Sequence, residues 1–188
     1  MLFSLSRHEI DSKSDRPVVL VYAKATLEMG NLGITGKWFS WQLKRNIPRT
    51  VTVQGAGYNC LTSPFSLVNG GSNNAAQKMV DAVHKAVGQS PEKKIVLCGY
   101  SQGASIVRKA VKQLRPEPRA RITGIILFGD PSRIGSKMPT DVGDKTLNLR
   151  LPLDWVHWPI PIITVTHFWY PFLSYGEAVN FVRNQVKS

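Results

Sequence analysis

Residues 94–114, KIVLCGYSQGASIVRKAVKQL, join a short apolar run to an amphipathic stretch through the pattern G-x-S-x-G. The run from Lys94 to Cys98 predicts a buried strand, and the spacing from Ala104 to Leu114 predicts a helix with Arg108 on its solvent side. Glycines two positions before and after Ser101 let neighbouring backbone pass close to a tight turn. Such a turn holds the serine hydroxyl above the edge of a sheet. The stretch therefore predicts a serine nucleophile on an α/β fold.

Similar alternation extends in both directions from this stretch. Apolar runs predict further strands at 17–23, 50–54, 122–129 and 146–151, and helical spacing predicts helices at 37–45, 73–87 and 175–186. Strands that alternate with helices are typical of a parallel sheet covered on both faces. We expect one domain over 1–188, a three-layer sandwich with a central five-stranded parallel sheet, preceded by a flexible N-terminal extension at 1–16.

Composition limits the classes of protein that fit this chain. Its 188 residues, 43% of them hydrophobic, suffice for one packed core, and no apolar stretch is long enough to span a bilayer. The net charge of +12 favours contact with anionic surfaces but equally fits a solvated basic surface. Charge alone is weak support for nucleic-acid binding, so we expect none. The N-terminus from Met1 to Asp15 lacks the apolar core of a signal peptide.

A serine hydroxyl needs a general base, and the base needs an acid to orient it. Of the four histidines, His167 follows the last predicted strand, where the chain order serine, aspartate, histidine places the base. Two aspartates fit the acid, because Asp130 and Asp154 each follow the end of a predicted strand. Position alone leaves both open. The two cysteines, Cys60 and Cys98, do not form a disulfide framework, and no zinc-ligand spacing occurs.

Several of these segments resemble the cutinases and acetylxylan esterases, a family of compact lidless serine esterases, and the resemblance covers the chain from Val18 onward. GYSQGA at 99–104 resembles the family's nucleophile motif, and YAKATLEMGNLG at 22–33 resembles its first-strand loop, in which Thr26 falls on the oxyanion-hole position. FGDP at 128–131 resembles a segment whose aspartate is not the family's triad acid. The resemblance therefore favours Asp154, which precedes His167 by thirteen residues, over Asp130.

The resemblance implies a serine esterase, a small α/β-hydrolase, that acts through an acyl-enzyme on Ser101. His167 would be the base and Asp154 the acid, with Thr26 and Gln102 forming the oxyanion hole. No metal or organic cofactor is implied. The apolar segment 155–172 carries His167, and we expect it to be a loop. Some of its large apolar residues should form an exposed rim beside Ser101: Trp155, Trp158, Ile160, Ile162, Phe168 and Trp169. Of these, Trp155, Phe168 and Trp169 are the residues expected to bind substrate.

The substrates expected from the resemblance are cutin-like polyesters or short- to medium-chain acyl esters, at a lipid, polyester or cell-wall surface. The alternatives are an acetyl esterase acting on acylated polysaccharide, a mycolyl-type cell-wall esterase, and a hydrolase-fold protein that binds a surface without turnover. Relatives of this kind imply a secreted monomer. However, the usual disulfide next to the catalytic aspartate has no counterpart, because His157 stands where a cysteine is expected.

Overall fold

The chain folds around a five-stranded parallel sheet with strand order β2-β1-β3-β4-β5. The structure, a computed structural model, describes residues 4–12, 14–60, 72–90, 92–132, 137–157 and 162–187. Its strands are β1 (Val18–Ala23), β2 (Val51–Gly55), β3 (Lys94–Tyr100), β4 (Ile122–Phe128) and β5 (Thr146–Leu149). The central strands are buried on both faces, which explains why they are almost entirely apolar. The predicted α/β fold is confirmed.

The helices cover both faces of the sheet. They are α1 (Gly33–Asn46), α2 (Asn73–Gln89), α3 (Gln102–Gln113), α4 (Pro116–Ala120), α5 (Thr140–Gly143), α6 (Tyr170–Leu173) and α7 (Tyr175–Lys187), and a 3₁₀ turn spans Val165–Phe168. Apolar residues of α2 and α3 form one core cluster with the sheet, and those of α1 and α7 form a second cluster on the opposite face. The three layers follow from this division. Within the described residues, no helix is long and apolar enough to cross a membrane.

The N-terminal segment differs from the expected flexible extension. Its backbone pairs with the edge of β2 through hydrogen bonds from Glu9 N–H to Val53 and from Gly55 N–H to Arg7. It also contacts the loop after β1, where the N–H of Leu32 donates to the carbonyl of Leu5. The side chain of Ile10 is buried in the core. These contacts cover the otherwise unpaired edge of β2. Polar composition suggested a free tail, but the tail's backbone supplies the missing hydrogen bonds.

Two further predictions needed correction. Helix α1 begins at Gly33 rather than at 37, because the Glu28 carboxylate accepts the backbone N–H of Thr35 in the first turn. Segment 155–172 is not wholly a loop, since a 3₁₀ turn and α6 occupy its second half. Cys60 and Cys98 are both buried, and neither forms a disulfide bond.

Candidate active site

Ser101 occupies the sharp turn between β3 and α3. Its backbone has φ 55° and ψ −120°, a left-handed conformation that is costly for a residue with a side chain. The turn is held by a hydrogen bond of 2.9 Å from Ser101 N–H to the carbonyl of Phe128, the last residue of β4. Strain of this kind is characteristic of a nucleophile that must project above a sheet. The side chain is almost completely buried.

Gly103 brings the start of α3 against the loop after β1. A Cβ atom at this position would lie 2.0 Å from the carbonyl oxygen of Ala23 and 2.7 Å from that of Lys24, so only glycine allows the approach. Thr26 follows in the same loop, and its hydroxyl oxygen is buried and makes no hydrogen bond within the described residues. Gln102, the first residue of α3, follows Ser101 directly and is buried. The two predicted oxyanion residues are therefore carried by segments in direct contact.

His167 and Asp154 form a buried pair. Nδ1 of His167 lies 2.9 Å from Oδ2 of Asp154, and both side chains are almost fully enclosed. The other three histidines lie elsewhere: His8 and His84 are exposed, and His157 is half-buried. Nε2 of His167 is buried and makes no hydrogen bond within the described part of the chain. That nitrogen is available to a nearby hydroxyl.

The charge on Asp154 fixes the tautomer of His167. Burial works to raise the pKa of Asp154, but hydrogen bonds from His167 and Tyr170 outweigh it, so this pKa lies below its ordinary value. An ionised carboxylate can only accept, so Nδ1 of His167 must donate. In the neutral imidazole, the lone pair then sits on Nε2. This is the protonation state that a general base requires.

Tyr100 and Gly129 bring His167 to the Ser101 turn. The Tyr100 ring stacks on the imidazole at a centroid distance of 5.3 Å, and its hydroxyl donates to the backbone carbonyl of His167. Gly129 directly follows Phe128, whose carbonyl accepts the Ser101 N–H. A Cβ atom at Gly129 would lie 2.7 Å from Cε1 of His167, so the imidazole rests against this backbone. Ser101 and His167 thus converge on the end of β4.

Asp130, the alternative acid, belongs to a different network. It is fully buried and receives hydrogen bonds from Arg108 (2.7 Å), Asn148 (3.2 Å) and the N–H of Ser132 (3.0 Å). Arg108 was predicted to face solvent, and that prediction is wrong: its guanidinium is buried and reaches this carboxylate from the middle of α3. The aspartate that contacts His167 is Asp154.

Glu28 ties the loop of Thr26 to α1. Its carboxylate accepts hydrogen bonds from the N–H of Ala25 (2.8 Å) and from the N–H and hydroxyl of Thr35 (2.9 and 2.8 Å). The negative charge also lies at the positive end of the α1 dipole. Ala25 directly precedes Thr26, so the Glu28 carboxylate ties the backbone next to Thr26 to the first turn of α1.

The three residues predicted to bind substrate are all partly or largely exposed. Trp155 is 39% exposed, Phe168 64% and Trp169 49%. Phe168 packs edge-on against the imidazole at 6.0 Å. Two more residues expected in this rim, Trp158 and Ile160, lie outside the described residues. Whether the rim binds substrate stays a prediction.

Sequence reasoning missed four residues of this site: Tyr100, Tyr170, Gly129 and Glu28. Tyr100 lies inside the G-x-S-x-G pattern, at a position the pattern leaves free. Tyr170 is the one residue in the Phe168–Tyr170 run that carries a hydroxyl group, which is the signal that could have found it. Among the described residues, no three His, Cys, Asp or Glu side chains are grouped so that they could hold a metal ion.

Comparisons with known proteins agree on one family. The Cutinase family model matches residues 14–186. The chain is 31% identical over 156 residues to cutinase CUT1 of Coprinopsis cinerea, a match that covers 82% of this chain and 77% of that protein. It is 33% identical to cutinase CUT2 of Pyricularia oryzae over 95% of this chain and 85% of that protein.

A solved structure extends the match to three dimensions. The Trichoderma reesei cutinase in complex with a phosphonate inhibitor superposes with a TM-score of 0.80 at 29% identity, covering 92% of this chain and 79% of that one. With a family model that spans nearly its whole length, the chain belongs to the cutinase family.

Proposed function

We propose that the protein is a serine esterase that hydrolyses carboxylic esters through an acyl-enzyme on Ser101. The observation that carries this proposal is the buried Asp154–His167 pair, whose Nε2 makes no hydrogen bond within the described residues. This pair converges on the end of β4 with Ser101, a serine in a strained turn. A surface-binding protein without turnover would have no physical need for all three groups. Family membership supports the same reaction class.

In the proposed mechanism, Nε2 of His167 accepts the Ser101 proton as Oγ attacks the ester carbonyl. Asp154 stabilises the imidazolium that forms and holds its orientation. The backbone N–H of Gln102, with the N–H and hydroxyl of Thr26, stabilises the oxyanion. The imidazolium then protonates the departing alcohol, and His167 activates the water that releases the acid. No cofactor is required for these steps.

The proposed substrates are cutin-like polyesters or short- to medium-chain acyl esters. Support comes from the exposed apolar residues beside His167, which suit an acyl chain better than a sugar. An acetyl esterase acting on acylated polysaccharide is the rival within the class, and its site would favour polar walls and a small acyl group. A mycolyl-type esterase would share the apolar rim and differ in chain length. We further propose that the enzyme acts as a secreted monomer, on the basis of family resemblance.

Rates over p-nitrophenyl esters from acetate to palmitate, with acetylxylan alongside, test the substrate class. We expect measurable hydrolysis that peaks at short or medium chains, with acetylxylan a poor substrate. Ser101→Ala should abolish turnover at an unchanged melting temperature, because only one oxygen is removed. A fluorophosphonate probe should label the parent protein and not this variant. Comparable turnover in Ser101→Ala would overturn the mechanism.

A further inference from the structure

Helix α1 has apolar residues on two opposite sides. Phe39 and Leu43 are completely buried against the sheet. Ile34, Trp38 and Trp41 follow the spacing i, i+4, i+7, which puts them on one side of the helix. Trp38 is half-buried there, at the border with the second core cluster. Ile34 is 67% exposed and Trp41 51% exposed. A helix that packs on one side needs a polar opposite side, so this second apolar face requires another explanation.

Basic side chains surround these aromatic residues. The guanidinium of Arg45 lies 5.3 Å from the centroid of the Trp41 ring. Arg7, Lys37 and Lys44 line a groove of about 700 Å³ together with Ile34, Trp38 and Trp41. The Glu9 carboxylate faces these cations: it pairs with Lys44 and lies 3.7 Å from Arg7. The groove keeps a positive balance, in a chain whose net charge is +12.

Ring contacts connect this face of α1 to the segment that carries His167. Trp38 packs edge-on against Phe172 at a centroid distance of 4.9 Å, and Phe172 lies 5.9 Å from Trp169. Phe172 and its neighbour Leu173 are about as exposed as Ile34. A row of ring contacts therefore leads from the segment of His167 to Trp38, which lines the groove on α1. Exposed apolar surface of this extent marks an interaction site.

We propose that this face, formed by Ile34, Trp38 and Trp41 with Lys37, Lys44 and Arg45, docks the protein on an anionic lipid surface. Tryptophan and aliphatic side chains bordered by lysine and arginine have the composition that helices lying in the membrane interface use. The charge selects anionic lipid, since each basic residue near such a surface contributes to binding. A lipid surface bound by this face would lie next to the segment that carries His167. The proposal therefore says where the proposed esterase meets its substrate, and it rests on that proposed function.

Binding is measured by cosedimentation with vesicles, using Ser101→Ala so that lipid hydrolysis plays no part. We expect binding to vesicles of equal parts phosphatidylcholine and phosphatidylglycerol, weakened by added salt, and little binding to phosphatidylcholine alone. Arg45→Glu should weaken binding at least about fivefold, because one cation is lost and an anion is added. Lys112→Glu is the matched control: it makes the same charge change on α3, which packs on the opposite face of the sheet.

Trp41→Ala tests the apolar part and should also reduce vesicle binding at an unchanged melting temperature. Equal losses for Arg45→Glu and Lys112→Glu would overturn the proposal in favour of diffuse charge attraction. Full binding by Trp41→Ala, or no binding to either vesicle, would overturn it as well. Binding to soluble polygalacturonate without binding to vesicles would overturn the lipid proposal and indicate an acidic polymer as the partner. None of these readouts depends on ester turnover, so failure of the esterase mechanism would be seen separately.

Discussion

The hydroxyl of Tyr170 donates a hydrogen bond of 2.7 Å to Oδ2 of Asp154, the same oxygen that accepts Nδ1–H of His167. The same hydroxyl accepts the backbone N–H of Leu151 at 3.0 Å. Burial raises the pKa of Tyr170, so its proton stays available to the carboxylate. Tyr170 is therefore a positioning residue: it holds the carboxylate of Asp154, and that carboxylate orients the imidazole of His167.

Tyr170→Phe should raise the pKa of Asp154 toward its ordinary value, because one of the hydrogen bonds that lower it is removed. A carboxyl group with a lowered folded-state pKa stabilises the fold above its unfolded pKa of about 3.9, and this contribution is lost as pH falls through the folded-state value. The melting-temperature gap between parent and variant should therefore be largest near neutral pH and narrow below about pH 4.

Tyr175→Phe is the matched control for this experiment. Its hydroxyl is equally buried but donates to the carbonyl of Thr35 rather than to a carboxylate. The variant should lose stability by an amount that does not vary with acid pH. If the melting-temperature gap to the parent protein narrowed at acid pH for both variants, the role assigned to Tyr170 would be wrong.

The two buried aspartates should respond differently to amide substitution. Asp154→Asn presents an NH₂ group to Nδ1 of His167 and selects the wrong tautomer, so kcat should fall by about 10⁴-fold. Asp130→Asn leaves Arg108 without its charged partner, which should cost about 3 kcal/mol of unfolding free energy with little effect on kcat. Kinetics and denaturant unfolding on both variants check this. Reversed effects would mean that the acid is assigned incorrectly.

Local sequence was enough to predict Ser101, because the strand, the turn and the helix that position it are consecutive. The order of strands and helices was equally readable from apolar periodicity. The prediction that Arg108 faces solvent was wrong because helical periodicity gives only the direction of each position around the helix axis. It cannot reveal that a long side chain at the edge of the buried face reaches Asp130, 22 residues further on.

Contacts between distant segments account for what sequence could not predict. Asp130 and Asp154 both follow strands, and residue position left them equivalent until family resemblance separated them. The roles of Gly129 and Glu28 arise only when the end of β4 meets the segment of His167, and when the loop after β1 meets α1. The N-terminal segment likewise has a polar sequence, and its backbone pairing with β2 becomes visible only in three dimensions.

Glu28→Gln should impair catalysis through the loop of Thr26. The amide replaces one acceptor oxygen with an NH₂ group that faces the N–H donors of Ala25 and Thr35. If the oxyanion hole loses one donor, kcat should fall by about 10²-fold or more with little change in KM. Glu9→Gln is the control, because the Glu9 carboxylate likewise accepts a backbone N–H, from Val53 in the middle of β2. It should lower the melting temperature and leave kcat unchanged.

Gly129→Ala should displace the base. The added Cβ would meet the imidazole of His167 and the ring of Tyr170, at a position with φ 52° that already disfavours a side chain. A shift of about 1 Å in a catalytic group can cost about 10²-fold in rate, and we expect kcat to fall by at least that much. Gly88→Ala, in α2 with open space around it, should leave activity intact and not destabilise the protein. Full activity in Gly129→Ala would show that the imidazole tolerates the displacement.

Phe168 and Trp169 should affect large aggregated substrates more than small soluble ones. Both are largely exposed beside His167, so neither adds much to the core, and their contact with an acyl chain would bury apolar surface. Phe168→Ser and Trp169→Ser, made singly, should retain most of the parent rate on a short soluble ester and lose several-fold on an emulsified long-chain ester. Because each variant is measured on both substrates, the ratio of the two rates does not depend on how much of the preparation is folded. Equal losses on both, with a lowered melting temperature, would assign these aromatic residues to packing around the imidazole instead of to substrate binding.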